Sequence, residues 1–261
     1  MRNDLRISMV QSPIVWENQS ANLSDFEKRL KRIKGKTDLV ILPEMFTTGF
    51  STKSIQLADT MDGITIQTIK QWAINFGFAI AGTFIATENN KYFNRAFFIT
   101  PEGESFFYDK RHLFSIGNEN EFFTGGKERL IVSYKEWNIC LLICYDLRFP
   151  VWSRNENNQY DLLIYMANWP KARSAVWKSL LMARSLENQA YVCGVNRTGT
   201  DGLGLEYSGN SVILSPKGKI IADAYSRYDI VKTGLLSAKE QDAFRQKFPV
   251  YHDADSYIIN K

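Results

Sequence analysis

Histidine is the scarcest reactive side chain in this sequence: His112 and His252 are the only two in 261 residues. They stand far apart, so no ligand spacing suggests a metal, and nothing calls for a cofactor. Only three cysteines occur, Cys140, Cys144 and Cys193, an odd and small number that argues against a disulfide framework. No apolar run approaches a membrane span, and no apolar signal core precedes the strand-like Leu5-Arg6-Ile7-Ser8-Met9-Val10. Together these absences predict a cytoplasmic chain with reduced thiols. Charge of a single sign is lacking too. The net charge is +4, and the clusters from Lys28 to Lys36 and at Lys110-Arg111 are too short to engage nucleic acid. There is no Pro/Gly/Ser-rich linker, low-complexity block or internal repeat, so the chain reads as one large domain.

What is present is apolar and periodic. Hydrophobic residues make up 44% of the chain, enough for a sizeable core, and they fall into runs that alternate between strand and helix patterns. Strands are expected at Leu5 to Gln11, Asp38 to Leu42, Phe78 to Ile85, Tyr92 to Ile99 and Glu104 to Tyr108. Further on they are expected at Asn138 to Cys144, Tyr160 to Met166, Ala190 to Asn196, Asn210 to Leu214, Lys219 to Ala222 and Ile230 to Leu236. Helices are expected over Asn22 to Ile33, Ile64 to Phe76 and Trp177 to Asn188, with a tail from Ala238 to Lys261 that is helical at first and then irregular. Strands alternating with helices indicate an α/β fold, in which ligands gather beyond the carboxyl ends of the strands.

Three of these runs end abruptly on a reactive group. Asn138-Ile139-Cys140-Leu141-Leu142-Ile143 stops at Cys144, the strand at Asp38 to Leu42 runs into Pro43-Glu44, and the strand at Glu104 to Tyr108 delivers Asp109-Lys110. Cys140 lies four residues before Cys144, roughly 13 Å along an extended chain, beyond the 7 Å or so that a disulfide allows. Each group also has an ordinary reading: an inert buried thiol, a loop carboxylate, a surface lysine. Taken together they suggest nucleophilic catalysis. A cysteine nucleophile usually takes its base from histidine, yet His112 would put a second cation beside Lys110 and His252 lies in the tail. An enclosed carboxylate can replace the imidazole, which makes Glu44 the candidate base. Lys110 would then balance its charge and, with the backbone N–H of Tyr145, stabilise an oxyanion. Phe46, Phe114, Phe149 and Trp169 are candidate pocket walls. Arg184 and Glu187, at helical spacing, read as structural support, and Cys193 as core packing.

Leu42-Pro43-Glu44, Asp109-Lys110-Arg111-His112-Leu113-Phe114 and Ile143-Cys144-Tyr145-Asp146-Leu147-Arg148-Phe149-Pro150 closely resemble the motifs of the carbon–nitrogen hydrolase (nitrilase) superfamily, in order and separation. The resemblance spans nearly the whole chain. It implies a single-domain, four-layer α-β-β-α sandwich, with Glu44 as general base, Lys110 as electrostatic stabiliser and Cys144 as nucleophile. The family's additional glutamate maps to Glu119, with Gly126 then on the family's glycine, and Glu121 is the alternative. The stretch from Cys144 to Asn155, with Ala167-Asn168-Trp169-Pro170 and Arg173, looks like the omega-amidase branch, which acts on 2-oxoglutaramate and 2-oxosuccinamate; such substrates carry a carboxylate remote from the scissile amide, for which Arg173 is then the candidate bidentate clamp. The same motifs leave open a nitrile, an N-carbamoyl amine or deaminated glutathione as substrate, and a non-catalytic binding protein on the same fold. The resemblance also implies a homodimer or larger assembly, with the tail from about 238 to 261 at the interface.

Overall fold

Alternation along the strands decides the layering. In the computed structural model, which describes residues 2–259, the first half of the chain contributes β1 Leu5–Gln11, β2 Leu39–Ile41, β3 Ala79–Glu88, β4 Lys91–Ile99 and β5 Ser105–Asp109. The second half contributes β6 Ile131–Tyr134, β7 Trp137–Ile143, β8 Leu162–Ala167 and β9 Tyr191–Asn196. A short ribbon of β10 Thr198–Thr200 and β11 Glu206–Ser208 follows, then β12 Ser211–Leu214, β13 Ile220–Tyr225 and β14 Ile230–Leu236. These form two six-stranded sheets, ordered β14-β1-β2-β3-β4-β5 and β13-β12-β9-β8-β7-β6. In the first, β1, β2 and β3 run parallel, and in the second β7, β8 and β9 do. The flanking pairs in both sheets are antiparallel.

Ile7, Met9, Leu39, Ile41, Ala79 and Ala81 belong to the core between the two sheets. Their alternates Val10, Val40, Leu42 and Ile80 pack outward against α1 Gln19–Lys31 and α3 Ile64–Phe76 through Phe26, Leu30, Ile69 and Trp72. A single turn, α2 Ser54–Leu57, lies between these helices in sequence, and another, α4 Glu119–Phe122, follows β5. The second sheet is covered by α5 Ser174–Glu187. The close approach needs Gly194, since a Cβ there would stand 2.4 Å from Leu181 Cδ1. Parallel strands buried on both faces account for the unbroken apolar runs at β7 and β8. The result is the α-β-β-α sandwich. α6 Ala238–Lys247 and an irregular tail close the described chain, and the Tyr257 hydroxyl donates to the Val151 carbonyl of its own chain. Residues 260 and 261 of the expected tail lie outside the described residues. Among the described residues, no helix is long and apolar enough to cross a membrane.

The departures from expectation have local causes. The first helix starts at Gln19 rather than Asn22, because Asn18 accepts from the Ala21 N–H as its cap. Asn22 is instead buried, its side chain bonded to both backbone groups of Val15 and to the Thr47 carbonyl. β6 and the ribbon were not expected. The ribbon's Thr-Gly-Thr and Glu-Tyr-Ser carry no apolar alternation, and tertiary pairing alone makes them strands.

Candidate active site

Each reactive group stands where a strand turns sharply. After β2 the chain passes through Glu44, fully buried, and reverses at Met45, whose φ of +43° is unusual outside glycine. The Met45 N–H donates to Thr83 Oγ1 at 2.7 Å, which holds this turn against β3. β7 ends at Ile143, and Cys144 follows with φ +40° at the head of a 3-10 turn, Cys144–Arg148. Strain of this kind persists only where the surroundings enforce it. After β5, Lys110 is clamped on both sides by the backbone: its N–H donates to the Asn94 carbonyl, and its carbonyl accepts from Gly126 N–H. Residue 126 has to be glycine, for a Cβ would lie 2.1 Å from the Asp109 carbonyl oxygen.

These turns bring Glu44, Lys110, Glu119 and Cys144 together. Lys110 Nζ donates to Glu44 Oε1 at 3.0 Å and to Glu119 Oε1 and Oε2 at 3.0 and 2.9 Å. Asn94 Nδ2 donates to the same two carboxylates, at 2.8 Å to Glu44 Oε1 and 3.0 Å to Glu119 Oε1. The second Glu44 oxygen, Oε2, accepts from the Asn168 backbone N–H at 2.7 Å. Glu119 Oε2 is further tied to the Phe114 N–H at 2.6 Å. Of the two candidate glutamates after β5, Glu119 is buried in this network, while Glu121 is exposed to solvent.

Electrostatics follow from enclosure. Burial opposes the charge on Lys110, but the carboxylates of Glu119 and Glu44 outweigh it and hold the ammonium above the ordinary lysine range. Burial pushes the Glu119 carboxyl up; Lys110 pulls it down, and Glu44 adds to the rise. The Cys144 thiol is pushed well above its usual range by burial and by Glu44, with Lys110 offsetting only part. Burial and Glu44 thus disfavour the thiolate, so any use of this sulfur as a nucleophile calls for a proton transfer within the site.

Asp146, fully buried, joins two of these elements. Its Oδ2 accepts from the Ile143 N–H and the Tyr108 hydroxyl, and its Oδ1 from the His112 N–H, with His112 Nδ1 at 2.8 Å. It thereby ties the turn at Cys144 to the segment carrying Lys110. Arg184 holds the same turn from α5, with Nη2 donating to the Leu147 carbonyl and Nη1 to Glu187. Replacing Asp146 by Ala orphans several buried donors at once and should lower stability by about 3 kcal/mol or more, read as a drop in Tm. A change under about 1 kcal/mol would show that the two segments are held by something else.

A cavity of about 460 Å³ opens above Cys144. Lys110 and Asn168 lie at its base, and Phe50, Phe114, Tyr145 and Trp169 among its walls. Arg173 also lines it, with its guanidinium 5.5 Å from the Phe114 ring, and so does Arg148, 5.1 Å from the Trp169 ring. Two expected wall residues are absent. Phe46 is turned away by the reversal at Met45 and packs edge-on against Phe26 and Phe97 in the outer core. Phe149 lies behind the wall, stacked on His112 at 3.8 Å and edge-on to Tyr145. Asn94, Asn168, Arg148 and Asp146 had not been singled out. Asn94 sits in a strand of aromatic and apolar residues, and a polar side chain fully buried in such a strand is the signal that marks it. Among the described residues no group of three or more His, Cys, Asp or Glu side chains could hold a metal.

The carbon-nitrogen hydrolase family model matches residues 6–237, most of the chain. The chain belongs to this family. It is a hydrolase acting on carbon–nitrogen bonds. Omega-amidase YafV of Escherichia coli is 42% identical over 255 residues, 98% of each chain. The 2-oxoglutaramate amidase of Bacillus subtilis is 32% identical over 95% of this chain and 96% of its own. Among solved structures, a CN-hydrolase superfamily protein of Xanthomonas campestris with an arsenic adduct in its active site superposes with a TM-score of 0.96 and 40% identity, covering 98% of this chain and 99% of that one.

Proposed function

We propose that this hydrolase releases ammonia from the terminal amide of a small 2-oxo dicarboxylic acid monoamide, such as 2-oxoglutaramate or 2-oxosuccinamate, through a thioester on Cys144. The observation that carries the reading is one cavity with a thiol and a buried ammonium at its base, the ammonium paired to the buried Glu44 carboxylate, and two arginines on its walls. The names of the omega-amidase and 2-oxoglutaramate amidase relatives support the substrate class.

Glu44 takes the thiol proton as Cys144 Sγ bonds to the amide carbon. The carbonyl oxygen becomes an oxyanion, stabilised by Lys110 Nζ and the Tyr145 N–H. Collapse breaks the C–N bond, and the leaving nitrogen departs as ammonia with the proton from Glu44. Water then adds to the thioester, giving a proton to Glu44, and that proton returns to Sγ as the free acid leaves. Glu119 shares the Lys110 charge with Glu44 throughout. Arg173 and Arg148 face the remote carboxylate, and Trp169 supports the former by donating from Nε1 to the Arg173 carbonyl at 2.8 Å.

The test is ammonia release from 2-oxoglutaramate, 2-oxosuccinamate, glutamine, an N-carbamoyl amino acid, a nitrile and deaminated glutathione. Preference for the 2-oxo amides supports the proposal, and preference for any other member overturns the substrate assignment. Arg173→Ala should lower kcat/KM for 2-oxoglutaramate roughly 10- to 100-fold, the worth of a charge-assisted hydrogen bond. An uncharged amide of the same length should be affected far less. Equal losses on both would sink the clamp.

A further inference from the structure

Asn94 carries a set of contacts that the steps above do not use. It is fully buried on β4, and its side-chain orientation is fixed by a directional chain. The Met45 backbone N–H donates to Thr83 Oγ1, so the Thr83 hydroxyl hydrogen is left to donate to Asn94 Oδ1 at 3.0 Å. A backbone N–H cannot reverse its role, and the Asn94 amide must therefore turn its NH₂ toward the carboxylates. Its donations reach Glu44 Oε1 and Glu119 Oε1, the oxygens that Lys110 Nζ also reaches.

Glu44 Oε1 thus receives two donors, which occupies both of its lone pairs in the carboxylate plane. Oε2 receives a close donor only from the Asn168 N–H at 2.7 Å, with Asn168 Nδ2 more distant at 3.5 Å. Cys144 hydrogen-bonds the Glu44 side chain, and with Oε1 already filled by Lys110 and Asn94 the oxygen left open to the thiol is Oε2.

We infer that Asn94 is a positioning residue that, with Lys110, fills Glu44 Oε1 and Glu119 Oε1 with donors and so leaves Glu44 Oε2 as the oxygen that exchanges the proton with Cys144. The inference rests on the reading of Glu44 as base and Cys144 as nucleophile. The proton leaves Sγ, arrives on Oε2 and departs from the same oxygen to the leaving nitrogen. Oε1 stays bound to Lys110 and Asn94, and the ammonium does not have to break its pairing for the proton to move. The titratable groups facing this pair are Lys110 and Cys144, together with the two glutamates themselves. The Asn94 donation acts on Glu119 in the same direction as Lys110, downward, against a larger upward push from burial.

The experiment is the pH profile of kcat/KM for Asn94→Leu, close in size but without donors. Donors to the ionised form lower an acid's pKa, so removing one that two carboxylates share should move the acid limb of the profile up by about one pH unit. The limb reports the coupled pair rather than either glutamate. Asn94→Ser, which adds no bulk, should move it the same way and carries the test if the leucine variant does not fold. A folded variant with lowered rates and an unmoved acid limb would overturn the inference, since a purely structural role changes the amplitude alone. Cys144→Ala is assayed alongside. Ammonia release by that variant would overturn the underlying reading of the site and this inference with it, whereas an inactive Cys144→Ala with an unmoved Asn94 limb would overturn this inference alone.

Discussion

Cys144→Ala should fold as the parent does and lose ammonia release by about four orders of magnitude or more. The two halves of that expectation come from different features. Sγ reaches the Asn168 carbonyl only at 3.9 Å and the residue is partly exposed, so removing one sulfur atom takes away little packing. The alanine Cβ keeps the backbone demand at φ +40° unchanged, and Asp146 still pins Ile143 behind it. Tm should therefore move by no more than the equivalent of about 1 kcal/mol. Turnover has no comparable reserve. In the proposed mechanism Lys110 and Glu44 remain, yet without sulfur there is no atom to carry the acyl group, and neither side chain occupies its place. Ammonia release near the parent's rate in a folded variant would remove Cys144 from the mechanism.

Lys110→Met should be the most damaging single change to stability and a severe one for rate. Its ammonium donates to three carboxylate oxygens in a site closed to water, and removing it leaves Glu44 and Glu119 facing each other with only Asn94 between them. Breaking a buried ionic group in this way costs about 3–5 kcal/mol. The loss should depend on pH with a definite sign. Burial and the neighbouring carboxylate already raise the folded Glu119 carboxyl, and without Lys110 only the weaker donations from the Phe114 N–H and Asn94 oppose them. A carboxyl raised in the folded state contributes stability that is fully present below its unfolded pKa, near 4.3, and is lost as pH rises through the folded value. The Tm gap between parent and variant should thus be narrow near pH 4 and widen toward neutrality. A gap that stays constant across that range would mean the carboxylates do not feel the lysine. The rate should fall about 10²- to 10³-fold or more, the usual effect of losing an oxyanion donor.

How far the site could be read before the fold was known depends on what each residue required. Glu44, Lys110 and Cys144 stand out because each breaks an apolar run, and a strand's end points to the sheet's edge whatever lies beyond. The residues immediately after those ends could not be placed by the same rule. Their direction is set by the turn, and a positive φ at Met45 sends Phe46 into the outer core instead of the cavity. Phe149 fails for a related reason: the 3-10 turn from Cys144 to Arg148 carries it behind Tyr145 onto His112. Asn94 and Asp146 were hidden because their partners, Glu119 for one and Tyr108 for the other, are distant in sequence. The strands, by contrast, could be anticipated from hydrophobic period, apart from β6 and the polar ribbon, whose pairing no local pattern announces, while their division into two facing sheets came from the family resemblance.

The two parallel triads, β1-β2-β3 and β7-β8-β9, have a consequence for how the enzyme comes into being. Glu44, Asn94, Lys110 and Glu119 all belong to the first sheet and the segment leaving it; Cys144, Asn168 and Trp169 leave the second. Neither half carries a working set. A chain emerging from synthesis can pair β1 through β5 and bury its outer core under α1 and α3 while β14, the last strand of that sheet, and the whole second sheet are still to come. Reactivity arrives in one step, when the faces meet and the carboxylate from one meets the thiol from the other. The joint between the sheets therefore acts as a safety catch as well as a core, keeping the Cys144 thiol apart from Glu44 and Lys110 until the molecule around it is finished.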